Sequence, residues 1–151
     1  MPPIQQPLVR NLPSLSLTLA QEALTAALTE AEKNSIAVSF ALVDAAGQTV
    51  LAAHMDGAPA PSRAIALRKA TTAVGFNTAT ADWDEILQGF SAGVREGLPL
   101  MPGLALFGGG EPLRHAGAVI GAIGVSGSSE ALDIACAQAG VRRVQELLGA
   151  G

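Results

Sequence analysis

Seven of the seventeen glycines fall between Gly108 and Gly127, inside the run FGGGEPLRHAGAVIGAIGVSGSSEALD that extends from Phe107 to Asp133. Glycine costs backbone entropy on folding, and it is retained where the chain needs positive φ or where another group must approach the backbone closely. The run therefore predicts a tight turn at Gly108-Gly109-Gly110, a strand-forming LRHAG, a close-packed strand AVIGAIGVSG, and a helix capped by Ser128 or Ser129. Its spacing excludes two nucleotide motifs. Gly121, Gly124 and Gly127 read GxxGxxG, not GxGxxG, and no Lys-Ser or Lys-Thr follows to make a P-loop. Gly124-Val125-Ser126-Gly127-Ser128 stops one glycine short of a nucleophile elbow, with no base and orienting acid beside it in sequence, so Ser126 is a poor nucleophile candidate. A helix N-terminus after a strand suits either an anionic group or plain capping.

Upstream of this run the elements follow from local signals. Residues 1–16 are proline-rich at their start and read as an arm, with residues 17–151 forming a single domain. Thr18 and Gln21 make a capping box for a helix through Leu19, Ala23, Ala26, Ala27 and Ala31 to about Lys33. Two apolar runs, Ala37 to Val43 and Gln48 to His54, flank Asp44-Ala45-Ala46-Gly47 and predict a hairpin covered on both faces. Ser62 is placed to cap a helix ending near Phe76, and Asp82 with Glu85 to open another, whose Trp83, Ile86, Leu87, Phe90 and Val94 recur at core spacing. Leu104 to Phe107 reads as a short strand. In the last helix Ile134, Ala137, Val141, Val144 and Leu148 share an apolar face. The order α-ββ-αα-βββ-α predicts an α/β (α+β) fold with a five-stranded antiparallel sheet flanked by helices.

Composition narrows the partners. A net charge of -4, no basic cluster, and Phe and Trp as the aromatics supply neither phosphate neutralisation nor a base-stacking surface, so no nucleic acid is expected. No apolar window reaches a membrane span and the start lacks a secretory signal, so the expected location is cytoplasmic. The lone Cys136 fits a reducing compartment and a small core position. Hydrophobic residues at 49% against 15% charged exceed what one small soluble chain needs, and the excess predicts homo-oligomer contacts.

Few residues carry chemistry. Lys69 emerges from a helical stripe of Ile65, Ala66, Thr72 and Ala73; its ammonium must snorkel to solvent, pair with Asp44, Asp56 or Asp133, or meet an anionic ligand. The two histidines, His54 and His115, lie near strand ends. Imidazole and thioether are the usual axial donors to haem iron, which makes His54, Met55 and His115 the candidate ligands. No HxxxH or CxxC spacing supports a structural zinc site.

His54-Met55-Asp56-Gly57-Ala58, Ser62, Lys69-Ala70, Thr71-Thr72-Ala73, Gly109-Gly110 with Pro112, Gly121 to Gly127 and Asp133, in this order, resemble the GlcG/HbpS family, which includes the C-terminal domain of PduO-type proteins. The similarity covers about Leu17 to Leu147. It implies a profilin-like or roadblock-like fold with a five-stranded antiparallel sheet, assembly into dimers or octamers, and haem or tetrapyrrole binding in some members. Family members commonly carry Arg at the place of His54, so this chain loses a cation there and gains a possible iron ligand.

Two functions are consistent with these residues. One is a binding protein for haem or a related planar, carboxylate-bearing small molecule, in a pocket built from His54, Met55, Asp56, Lys69, Gly109, Gly110 and Pro112. The other is an isomerase, tautomerase or lyase acting on a small organic acid in catabolism, with Lys69 as anchor or base and His54 or His115 moving a proton. An assembly or sensor module, its glycines serving only turns, is the plainer alternative.

Overall fold

The computed structural model describes residues 5–149. Residues 1–4 of the expected arm and residues 150–151 at the end of the expected domain lie outside the described residues. Among the described residues there are five α-helices and one antiparallel sheet. They are α1 (Leu17–Lys33), α2 (Ser62–Phe76), α3 (Trp83–Gln88), α4 (Ala92–Gly97) and α5 (Glu130–Leu148), and the strands are β1 (Ser39–Asp44), β2 (Thr49–His54), β3 (Gly110–His115) and β4 (Ala118–Ser126). Strand order is β2-β1-β4-β3, so β2 and β3 form the edges.

Alternation along β1 assigns the two faces. Phe40 and Leu42 join Ile123, Val125 and Leu113 under α1 and α5, whereas Ala41 and Val43 join Ala122 under Ala66, Ala70 and Ala73 of α2. On the first face the strands contribute large residues, whereas the second is packed mainly from alanines. That difference sets the depth of α2: a Cβ on Gly124 would run into the backbone carbonyl of Ala66. At the other end of β4 the register with β3 shifts between Leu113 and Arg114, so that Leu113 faces Gly121 while Arg114 faces Val119. The shift reverses the alternation and turns Ile120 into the α1 and α5 core. Leu15, buried, donates its N–H to Ile120 O (2.9 Å), so this end of the expected arm is packed on the sheet.

Several local expectations are corrected by tertiary contacts. The sheet has four strands among the described residues, not five, because Leu104 to Phe107 does not enter it. Ala105 N–H donates instead to Thr72 Oγ1 of α2 (3.0 Å), leaving that segment no ladder to join. The strand expected at LRHAG starts earlier, since β3 already begins at Gly110, the last residue of the expected turn. The single helix expected after Asp82 is split into α3 and α4 by Gly89-Phe90-Ser91, with Ser91 capping the second piece. Trp83 is buried, but Phe90 and Val94 lie exposed, not in the core. Ser16 rather than Thr18 caps α1, and neither Ser62 nor Asp82 makes a side-chain cap. At α5 the expectation holds: Ser129 Oγ accepts from Leu132 N (3.2 Å). No helix among the described residues is long and apolar enough to cross a membrane.

Candidate functional site at the edge of the sheet

Helix α2 carries both candidate centres. Lys69 points from its inner face toward the end of β4 and is 1% exposed, which rules out snorkelling. Its ammonium donates to Val125 O (2.8 Å) and to Asp133 Oδ2 (3.1 Å), and lies 5.1 Å from the ring centroid of Phe107. Asp133 Oδ1 accepts in turn from Ser128 N (3.0 Å). Of the three acids proposed as partners, Asp133 is the one engaged. Asp44 accepts from Ala46 N and Gln48 N in the hairpin turn, and Asp56 is exposed. Burial lowers the Lys69 pKa, and the neighbouring charge of Asp133 opposes that shift.

Two glycines of the run, Gly109 and Gly110, pack directly against this lysine. Gly109, at φ 124°, would with a Cβ meet Val125 O and Lys69 Nζ; Gly110 would meet the carbonyl of Lys69 and the methyl of Thr80. Thr80 Oγ1 accepts from Gly110 N (2.8 Å). Lys69, Gly109 and Gly110 thus come together as a closed packing centre, apart from His54 and Met55.

At the start of α2 a second polar chain runs to the β2 edge of the sheet. His54, the last residue of β2, pairs with Ser39 of β1. Its Nδ1 lies 2.5 Å from Ser39 Oγ, which is 2.9 Å from Ser62 Oγ, which donates to Pro59 O at 2.5 Å. Ser39 and Ser62 are 1% and 2% exposed, whereas His54 is half-buried. His54 lines two grooves. One, of about 190 Å³, runs between β2 and α2 past Thr49, Ala52, Arg63 and Leu67. The other, of about 380 Å³, lies toward α1, against Leu28, Glu32, Met55 and Asp56. Met55 turns its sulfur inward to accept from Val38 N (3.4 Å), so the thioether is occupied by backbone. Neither groove is lined by Lys69 or Gly109.

The remaining candidates fall on the far edge. Pro112 lines a cavity of about 420 Å³ with Asp82, Glu111, Arg114 and Val141. Burial first, and the charge of Asp82 second, push the Glu111 pKa up to about 7. His115 ends β3 and is exposed, opposite Ala118. Three strand spacings, roughly 14 Å, separate the edges that carry the two histidines, before any offset along the strands. Among the described residues, no three or more His, Cys, Asp or Glu side chains converge as a metal site.

Sequence reasoning missed three site residues: Ser39, Ser62 as a partner rather than a cap, and Arg63. The signal for Ser39 was present, a hydroxyl in the otherwise apolar strand of AVSFALV. Its partners, fifteen and twenty-three residues away, were not legible in that segment.

Comparison with known proteins agrees with the fold. Klebsiella pneumoniae ORFY superposes with a TM-score of 0.86 at 30% identity, over 94% of this chain and 98% of that one. A haem complex of PduOC gives a TM-score of 0.79 at 32% identity, over 86% and 94%. The corrinoid adenosyltransferase PduO of Salmonella typhimurium is 32% identical over 119 residues, which make up 79% of this chain and 35% of that protein. The chain thus spans about a third of that relative. The family profile described as haem degrading protein HbpS-like matches residues 15–142, and the chain belongs to this HbpS-like family.

Proposed function

We propose that the protein binds haem, or a related planar tetrapyrrole bearing carboxylates, at the β2 edge, with His54 as the nitrogen donor. The observation that carries this reading is the imidazole of His54. It is held at Nδ1 by a buried hydroxyl, its Nε2 has no hydrogen-bond partner among the described residues, and the residue lines two grooves. The donor chemistry fits the group, because a neutral imidazole anchored through its other nitrogen is a usual metal ligand. Haem would supply an iron for the nitrogen of His54 to hold and carboxylates for Arg63 to meet. Ala41, Ala52 and Leu67 offer apolar wall, and the guanidinium of Arg63, in the same groove, is a cation for a carboxylate. The haem complex of the 32% identical PduOC supports the ligand class.

The protein acts as a cytoplasmic homo-oligomer, a dimer or octamer. Leu100, Met101, Phe107 and Phe90, all exposed, are the apolar surface such contacts would cover. The enzyme alternative is weaker on geometry. It needs Lys69 and a histidine on one concave site, but Lys69 is closed by Asp133 and the histidines occupy opposite edges.

Titrating the purified protein with haemin tests the proposal. A saturable Soret shift, altered and weakened in His54→Ala, is expected. No shift at micromolar haemin overturns it.

A further inference from the structure

The hydrogen bonds around His54 determine where its proton sits. A serine hydroxyl has one proton to donate, and a backbone carbonyl only accepts. Ser62 donates to Pro59 O, so its contact with Ser39 is one in which Ser62 accepts. Ser39 therefore donates its own proton to Ser62. In the contact with His54 the oxygen of Ser39 can then only accept, and Nδ1 must carry the hydrogen. A neutral imidazole has a single N–H, which leaves the lone pair on Nε2. The opposite direction would set the lone pairs of Ser39 and Ser62 against each other in a dry interior, where both residues are almost fully buried.

We propose that Ser62 and Ser39 are positioning residues: the chain Pro59 O, Ser62, Ser39, His54 fixes the Nδ1–H tautomer and presents Nε2, unprotonated, at the edge grooves. The inference deepens the His54 reading above and rests on it for its functional meaning, while the tautomer itself is a property of the protein without ligand. Its consequence is preorganisation. A ligand needing an imidazole nitrogen meets the competent tautomer in every molecule, not in a fraction of them.

Substitution can reverse the relay without removing the Ser39 contact. In Ser62→Ala the hydroxyl of Ser39 loses its acceptor and is free to donate to Nδ1, which moves the imidazole proton to Nε2. Ser39→Ala removes the anchor altogether and frees the ring.

The test is 15N chemical-shift measurement on histidine-labelled protein without haem, at a pH where the imidazole is neutral, with His115→Ala to assign the resonances. Wild-type His54 is expected to show a protonated Nδ1 and an unprotonated Nε2, and Ser62→Ala to shift the proton toward Nε2. An unprotonated Nδ1 in the wild type overturns the relay, whatever haemin does. Should Ser62→Ala fail to fold, the wild-type spectrum and Ser39→Ala still decide the matter, the latter by losing the tautomer preference. Haemin affinity adds a second readout. It should fall with the competent fraction, roughly fivefold if a fifth of the molecules keep the Nδ1–H form. The wild-type tautomer as stated together with no Soret shift would overturn the haem reading and leave the relay standing.

Discussion

Ser62 and Lys69 lie seven residues apart on α2, roughly 10 Å along its axis, and they anchor two polar centres of opposite design. Around Lys69 both hydrogen-bond partners are internal: a carbonyl and a carboxylate hold the ammonium, the exposed ring of Phe107 lies beside it, and Asp133 is itself tied to Ser128. Around Ser62 the chain runs outward through Ser39 and stops at a histidine whose second nitrogen has no partner among the described residues. The first network holds α2, β4 and α5 together. The second leaves a free lone pair beside open grooves, which is what a ligand site needs. Burial and charge alone would have favoured Lys69 as the functional residue; the completeness of its pairing argues for structure.

The largest expected effect falls on the closed centre. Lys69→Met strands the Asp133 carboxylate, and removing one partner of a buried pair costs about 3–5 kcal/mol. Urea denaturation should show this loss, and Lys69→Met combined with Asp133→Leu should recover part of it. A single variant as stable as wild type would break the distinction between the two centres. Next in size is Gly109→Ala, which places a methyl against Val125 O and Lys69 Nζ at a positive φ. Overpacking of this kind costs about 1–3 kcal/mol, again read by denaturation.

His54→Ala sharpens the other half of the comparison. Haemin binding should be lost or strongly weakened, while stability changes by no more than about 1 kcal/mol. A large fall in melting temperature would mean that the edge network is structural as well. Smallest is a pH effect at the far edge. Folding raises the Glu111 pKa from 4.5 to about 7, so in that window the folded state holds a proton that the unfolded state has released. This group's contribution is therefore most favourable below 4.5, declines as pH rises toward 7, and stays at its lower level above. Glu111→Gln should flatten that decline in melting temperature between pH 5 and pH 8. Identical pH profiles for the two proteins would contradict it.

Elements written in local signals were legible. The alanine spacing of α1, the turn at Asp44 to Gly47 and the Ser129 cap all appear where short-range chemistry places them, with boundaries shifted by a residue or two. Leu104 to Phe107 shows the limit. Its apolar pattern is that of a strand, but Thr72 takes its backbone N–H, so the sheet stops at four. Phe90 and Val94 show the same limit, because helical spacing does not reveal a break at Gly89 to Ser91. The family resemblance was legible because its motifs recur in order along the chain, and the profile match over residues 15–142 agrees with it.

Taken alone, the amino-acid order determined the candidate chemistry and the need for close backbone approach: one lysine in an apolar helix face, two histidines near strand ends, and a glycine-rich run with a turn and a close-packed strand. Tertiary structure decided which of these groups are open. Asp133, sixty-four residues from Lys69, closes that centre, while Ser39 and Ser62 hold His54 by one nitrogen only. The physical reason is that hydrogen-bond satisfaction is a property of three-dimensional neighbours. A residue's type states what it can donate or accept, and the fold states whether a partner is already there.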